Sequence, residues 1–212
     1  MIDIYTLCQS LSPNLISSLL GFHAFTGCDS TSAFIRKGKS KPFKMLLNSE
    51  EIQSVFQDVG EEEDIPSKTR DNLEKFTCKM YGSGISEINK LRFLKAKERF
   101  HIKGTRLFSA KENADLSLLP PCSSSLCLHI DRVNYQTLVW KQSLNAYPEL
   151  PSPDQHGWKI VEGQLVINWG EDMFPTEVEE VLIEDDEDSV SEDEELSTDL
   201  SDFCDEETDE DE

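Results

Sequence analysis

Residues 21–47 read GFHAFTGCDSTSAFIRKGKSKPFKMLL, and this stretch carries the clearest signals for both fold and function. Its Gly-, Ser- and Thr-rich turn contains one carboxylate, Asp29, and the next acid in the chain is Glu50. A lone acid beside a basic turn is typical of a metal-assisted phosphate site or of a phosphate-binding loop. The second is favoured, because metal chemistry needs more carboxylates than this stretch holds. Five cations follow the acid: Arg36, Lys37, Lys39, Lys41 and Lys44.

Apolar residues on both sides of the turn recur at helical spacing. Residues 15–23 form an amphipathic pattern, and Ser12 or Asn14 is the candidate cap at its start. Pro42 suits the first turn of a second helix, where its missing N–H is not needed. The pattern predicts a helix, a double turn over residues 27–40 and a second helix.

The remaining apolar patterns predict a mainly α-helical fold. Residues 1–147 form one helical domain by this interpretation, with the helix–two-turn–helix at residues 15–47 and a short strand at residues 2–7. A helix over residues 85–102 has a basic face, which indicates a solvated surface more than a nucleic-acid contact. Further helices are predicted to begin at Ser49 and to cover residues 69–81 and 126–147.

Composition changes twice toward the C-terminus. Prolines in residues 148–176 predict a stiff extended connector, and the turn signal Glu162-Gly163 indicates a small β-hairpin over residues 158–169. Residues 177–212 hold 21 of the 42 acids and no Lys or Arg, so the sequence predicts a disordered acidic tail. The rest of the chain is nearly neutral, although the formal charge of the whole is -22.

The cysteines and the N-terminus bear on location. None of the six cysteines forms a Cys-x-x-Cys pair, which predicts reduced thiols. We therefore expect an intracellular protein, and a nuclear location is consistent with this expectation. The first residues lack the basic segment of a secretory signal, and no apolar run reaches the length of a membrane span. Membrane partners are therefore not expected, and nothing in the sequence indicates the oligomeric state.

The turn resembles the helix–two-turn–helix motif of the flap-endonuclease and XPG-like 5′ nucleases, a branch of the PIN-like fold. Their pattern is Gly-(Ser/Cys)-Asp, a short turn, then Gly-x-Gly and a basic helix start. The resemblance implies that the segment binds the backbone of a nucleic-acid duplex with backbone groups and basic side chains, often with a bound monovalent cation. The pattern stands here as Gly27-Cys28-Asp29, followed by Gly38, Lys39 and Lys41.

The same resemblance implies a role for each matching position. Asp29 matches the last metal-binding carboxylate, and Gly38 matches the second glycine of the turn. Lys39 and Lys41 match basic phosphate contacts. Arg36 stands where the family has its first glycine, a residue that permits a positive φ or a close approach to phosphate. The predicted nucleic-acid-binding residues are Arg36, Lys37, Gly38, Lys39, Lys41 and Lys44.

A second resemblance extends from Ile2 to about Trp169. A group of invertebrate proteins associated with mobile elements carries His-Ala-(Phe/Leu)-Thr-Gly-Cys-Asp-Thr-Thr-Ser, and the sequence here reads HAFTGCDSTS from His23 to Ser32. The group also carries Leu-Pro-Pro, then Arg-x-x-Tyr-Gln followed by Trp, and finally His-Gly-Trp. These motifs stand here at Leu119–Pro121, Arg132–Gln136, Trp140 and His156–Trp158.

The two resemblances imply the C-terminal part of a longer, nuclease-like protein. Two-metal hydrolysis needs several carboxylates, and Asp3 is the only acid before Asp29. We therefore expect a catalytically incomplete fragment that binds DNA or RNA through the duplex backbone. Two alternatives remain open. One is a Mg²⁺-dependent 5′ nuclease completed by a missing N-terminal region, and the other is a mobile-element relic without activity.

Simpler interpretations of Asp29 and of the tail also remain open. An aspartate in a turn often accepts backbone hydrogen bonds and caps the next segment, which gives Asp29 a purely structural role. The tail is expected to improve solubility, to bind basic proteins or to shield basic surfaces of the same chain. Its candidate phosphorylation sites, each with an acid three residues on, are Ser189, Ser191 and Thr208.

Overall fold

Helices make up most of the described structure. The computed structural model describes residues 3–103, 106–110 and 116–170, and the acidic tail with its phosphorylation candidates lies outside them. These residues confirm the predicted mainly α-helical class, including a helix on each side of the basic turn. The helices are α1 (Ile4–Ser10), α2 (Pro13–Phe25), α3 (Ser40–Leu47), α4 (Glu50–Asp58), α5 (Ser67–Met80), α6 (Ile88–Arg99) and α7 (Ser123–Lys141).

Two short antiparallel hairpins accompany the helices in the described ranges. The first pairs β1 (Phe100–Lys103) with β2 (Arg106–Ala110), and the second pairs β3 (Trp158–Val161) with β4 (Gln164–Ile167). The β3–β4 hairpin confirms the one predicted from the sequence. Its two turn residues, 162 and 163, have φ values of 52° and 77°, as a two-residue hairpin turn requires.

The strand predicted at residues 2–7 is wrong, because residues 4–10 form helix α1. The carboxylate of Asp3 accepts the backbone N–H groups of Tyr5 and Thr6 at 3.0 and 3.4 Å. This cap satisfies amides that the start of a helix leaves without a partner, and it favours a helix over a strand locally. None of the residues of α1 is buried.

Two predicted helix ends also differ from the structure. α6 ends at Arg99 and not at residue 102, because apolar and polar residues alternate over residues 100–103 with the period of a strand. α7 ends at Lys141 and not near residue 147. The N–H of Asn145 donates to the carbonyl of Gln142 at 2.9 Å, so a tight turn replaces the next helical turn.

The hydrophobic core lies between α2, α4, α5 and α7. Phe25 is fully buried, and its ring centroid lies 5.5 Å from that of Phe56 and 5.9 Å from that of Phe76. The rings of Phe56 and Phe76 meet edge to face at 5.1 Å, the arrangement that aromatic quadrupoles favour. The last turn of α2, directly before the basic turn, is therefore anchored in the centre of the core.

α7 carries polar side chains that hold two loops against the helical domain. Asn134 accepts the N–H of Gly60 at 2.7 Å and donates to two carbonyls of the α4–α5 loop at 2.9 Å each. The hydroxyl of Tyr135 donates to the carbonyl of Pro151 at 3.1 Å. Because these partners are backbone groups, α7 fixes the course of the α4–α5 loop and of the connector before β3.

Candidate nucleic-acid interface

The first turn after α2 is closed by the side chain of Thr31. Its hydroxyl donates to the carbonyl of Ala24 at 2.6 Å and accepts the N–H of Cys28 at 3.2 Å. Gly27 has a φ of 104°, and a Cβ added there would lie 2.6 Å from the Cβ of Ala33. The positive φ and the close approach both require glycine at this position. The glycine of the Gly-Cys-Asp motif therefore has a structural reason.

The second turn places Arg36 in the left-handed backbone region, with a φ of 54°. The N–H of Lys37 donates to the carbonyl of Phe34 at 3.0 Å and closes this turn. Glycine is the residue that the XPG-like pattern has at position 36, and glycine adopts a positive φ without strain. Gly38 has no positive φ and no atom within 4 Å of an added Cβ, so the conformational requirement falls on Arg36.

We expect the stability of the fold to depend on side-chain shape at position 36. Arg36→Val should lower the free energy of unfolding by about 1–2 kcal/mol, because a β-branched residue is disfavoured at positive φ. Arg36→Gly should stay within about 1 kcal/mol of the native value, because relief of strain offsets the greater freedom of glycine in the unfolded chain. Urea denaturation followed by circular dichroism measures both. Equal losses would contradict the left-handed conformation of Arg36.

Two of the five cations that follow Asp29 contribute to the fold. The Nζ of Lys39 contacts Nδ1 of His23 at 2.7 Å and donates to the carbonyl of the same residue at 3.2 Å. Lys39, a predicted phosphate contact, thus uses its ammonium group to hold the last turn of α2. The Nζ of Lys37 lies 4.6 Å from the ring centroid of Tyr81, within cation–π range. Burial lowers the pKa of both lysines.

The other three cations are exposed: Arg36 in the turn, and Lys41 and Lys44 on α3. None of their side chains forms a hydrogen bond or an ion pair with any residue in the described ranges. The pKa of Lys37 is lowered by burial and then by the charges of Lys41 and Lys95, so α3 and α6 concentrate positive charge beside the turn. The basic surface is defined here as Arg36, Lys37, Lys41, Lys44 and Lys95.

Asp29 is exposed and accepts no hydrogen bond from the described residues. The interpretation of Asp29 as a backbone acceptor is therefore wrong for these residues, and the hydroxyl of Thr31 has that role. Within residues 3–103, 106–110 and 116–170, no group of three or more His, Cys, Asp or Glu side chains could hold a metal ion. A single exposed carboxylate does not by itself fit a Mg²⁺ site, and Mg²⁺ binding stays a prediction.

The turn is also joined to α7 through the buried side chain of His129. Its Nε2 donates to the carbonyl of Phe25 at 2.9 Å, and the hydroxyl of Ser32 donates to its Nδ1 at 3.1 Å. A carbonyl only accepts, so the ring proton is assigned to Nε2. Burial lowers the pKa of His129 to about 4, which keeps the ring neutral at neutral pH. Ser32, the last residue of HAFTGCDSTS, therefore positions the turn on α7.

Two further motifs of the second resemblance, Arg132–Gln136 and His156–Trp158, hold the β3–β4 hairpin to α7. The Nη1 of Arg132 donates to the carbonyls of Gly157 and Asn168 at 3.0 Å each. The rings of Tyr135 and His156 stack at a centroid distance of 5.4 Å. The Arg-x-x-Tyr-Gln and His-Gly-Trp motifs thus contact each other. Sequence reasoning noted both motifs and missed the contact, because neither pattern contains information about its partner in space.

Comparisons with protein-family models, with curated proteins and with solved structures found no match to this chain. The resemblances to XPG-like nucleases and to the invertebrate group therefore stay predictions from the motif residues. In the part of the chain that the structure describes, no helix is both long and apolar enough to cross a membrane. Because no known protein matches the chain, any proposal about its function depends on the residues of the basic surface.

Proposed function

We propose that the basic surface binds the phosphate backbone of a nucleic-acid duplex. The observation that carries this proposal is the set of three exposed cations, Arg36, Lys41 and Lys44, that have no hydrogen-bond or ion-pair partner among the described residues. Arg and Lys side chains supply many backbone contacts, and these contacts fix position without reading base sequence. We therefore expect affinity for duplexes of either DNA or RNA, with little preference for one base sequence.

The turn fixes the position of Arg36 and leads directly into α3, which carries Lys41 and Lys44. Gly27 and Thr31 hold its first part, and a backbone hydrogen bond from Lys37 holds its second part. A rigid site loses less conformational entropy on binding than a mobile one. Lys95 adds charge from α6, although it also pairs with Glu98 at 3.0 Å. Such an exposed pair contributes little stability, so it can be exchanged for a phosphate contact at small cost.

Binding, and not cleavage, is the activity that these residues support. Phosphodiester hydrolysis by two metal ions needs several carboxylates to hold the ions. The turn offers Asp29 alone, beside cations that neutralise phosphate charge. A duplex-backbone contact requires only the cations and the fixed turn, and both are present.

Salt-dependent binding by charge variants tests this function. The full chain is titrated into short labelled duplexes of DNA and of RNA between about 50 and about 200 mM salt, with fluorescence polarisation as the signal. Lys41→Gln/Lys44→Gln is expected to reduce the slope of log K against log salt by about 2, since each phosphate contact contributes about 0.9. The matched control, Lys68→Gln/Lys79→Gln, removes two exposed cations of α5 and should leave the slope unchanged.

Three results would count against this function. The native chain could fail to bind either duplex at about 50 mM salt, where phosphate contacts are strongest. The two double variants could lose the same slope, which would indicate general charge attraction without a local site. The full chain could also cleave the duplex in Mg²⁺ and lose that activity in Asp29→Ala, which would favour the nuclease alternative.

A further inference from the structure

A buried cation on α7, Arg132, is not among the residues that define the basic surface. Arg132 is only 2% exposed, and no carboxylate in the described ranges forms an ion pair with it. The neighbouring Asp131 instead pairs with Arg70 at 2.7 Å. Burial of a cation without an anionic partner is costly, so the surroundings of this guanidinium need an explanation.

One edge of the Arg132 guanidinium has no hydrogen-bond partner among the residues that the structure describes. Among the described residues, only Nη1 makes hydrogen bonds, to the carbonyls of Gly157 and Asn168. No fully buried side-chain nitrogen or oxygen in those residues lacks a partner, so Nε and Nη2 must have access to open space. These two nitrogens share one edge of the planar group. That edge is the fork which donates two parallel hydrogen bonds to a carboxylate or a phosphate.

Arg132 lines a cavity of about 190 Å³ together with residues of the basic turn, of α7 and of the segment after β4. Trp169 forms one wall, with its ring centroid 5.5 Å from the guanidinium carbon. Phe34 and Leu126 supply further apolar surface. The hydroxyl of Ser125 accepts a hydrogen bond from the thiol of Cys122 at 3.1 Å and keeps its own proton to donate.

We propose that this cavity binds a small organic carboxylate with a compact apolar body. The carboxylate would receive the Nε and Nη2 donors of Arg132 and the Ser125 hydroxyl, and it would balance the buried charge. The apolar walls fit a hydrocarbon group and offer little to a bare, strongly hydrated phosphate ion. An apolar cavity of about 150 Å³ takes benzene, so a body of one aromatic ring suits this volume.

Titration of the full chain with three probes at constant ionic strength tests the site. Benzoate supplies the carboxylate and the ring, benzyl alcohol supplies the ring without charge, and inorganic phosphate supplies the charge without a ring. Saturation-transfer NMR on the two organic probes and tryptophan fluorescence on all three report binding. We expect benzoate to bind at least about tenfold more tightly than either other probe, because charge-assisted hydrogen bonds and apolar contact both contribute.

Two variants locate the binding in the molecule. Arg132→Lys keeps a cation and loses the fork, and it should weaken benzoate binding by about tenfold or more. Ser125→Leu keeps Arg132 and its backbone contacts while filling the cavity from the first turn of α7, and it should abolish binding. Thermal unfolding of each variant shows whether it is folded. If Arg132→Lys does not fold, Ser125→Leu alone decides the location, because leucine is well accommodated in a helix.

Several outcomes would overturn the site. Equal affinities for benzoate and benzyl alcohol would show that the guanidinium does not contribute to binding. A higher affinity for phosphate than for benzoate would show that the ligand needs no apolar body. Undiminished benzoate binding by a folded Ser125→Leu variant would place the ligand elsewhere. Glu171 and Asp172 are the first acids after Trp169 in the sequence. If benzoate binds to Glu171→Gln/Asp172→Asn and not to the native chain, carboxylates of the chain itself would be the partners of the fork. Absence of binding in both would leave no ligand of this class.

Discussion

Replacement of Phe25 by alanine is expected to lower the free energy of unfolding by about 4 kcal/mol, in the upper range for single substitutions. Phe25 has no exposed surface. Its ring contacts four neighbouring rings at centroid distances between 5.4 and 5.9 Å. Alanine would leave a cavity among rings that the basic turn, α4, α5 and α7 hold in place, so the site has little freedom to collapse.

Phe93→Ala is the matched control for this loss. Phe93 lies on α6 and is 58% exposed, so its truncation should change the free energy of unfolding by less than about 0.5 kcal/mol. Urea denaturation followed by circular dichroism measures both variants, with the slope on denaturant as a check that the same surface is exposed on unfolding. Similar losses in Phe25→Ala and Phe93→Ala would contradict the position of Phe25 at the centre of the core.

The starts of α2 and α4 could be predicted because their signals are local. Ser12 and Ser49 each accept the N–H of the residue three positions on, at 3.2 and 3.3 Å, and so begin α2 and α4 as their positions in the sequence indicate. The strand predicted at residues 2–7 is wrong because the cap of Asp3, which is also a local signal, favours a helix.

The arrangement of the site depends on contacts that are distant in the sequence. Ser32 and His129 are 97 residues apart, and Asn134 and Gly60 are 74 residues apart. Periodicity places a histidine or an asparagine on the inner face of α7, but it does not identify the loop that each one holds. For this reason the buried Arg132 and its cavity were not predicted, although the motif that contains Arg132 was noted.

The charge pattern around the turn could also be predicted only in part. The excess of cations between Asp29 and Glu50 could be read from the sequence, and the structure retains it as the basic surface. The sequence could not separate Lys39, which is occupied by His23, from Lys41, which has no partner in the described ranges. The difference follows from the direction in which the turn leaves α2, and that direction is set by Gly27 and its neighbours.

Gly27→Val is therefore expected to cause the second large loss, of about 4 kcal/mol in the free energy of unfolding. Valine at a φ of 104° is strained for any packing, and the added Cβ would lie 2.6 Å from the Cβ and 2.9 Å from the Cα of Ala33. Because Ala33 follows Thr31 and Ser32 directly, displacement of its backbone would disturb the contacts that close the turn and join it to α7. Thermal and urea unfolding measure the loss.

Gly38→Val is the matched control within the same turn. Nothing lies within 4 Å of an added Cβ at Gly38, and its φ is not in the left-handed region, so stability should change by less than about 0.5 kcal/mol. A loss in Gly38→Val as large as that in Gly27→Val would contradict the assignment of the two glycines. The pair also separates two causes of weaker nucleic-acid binding. In Gly27→Val, weaker binding would result from loss of the turn. In Gly38→Val the fold stays intact, so weaker binding would mean that the added side chain keeps the backbone away from the phosphate.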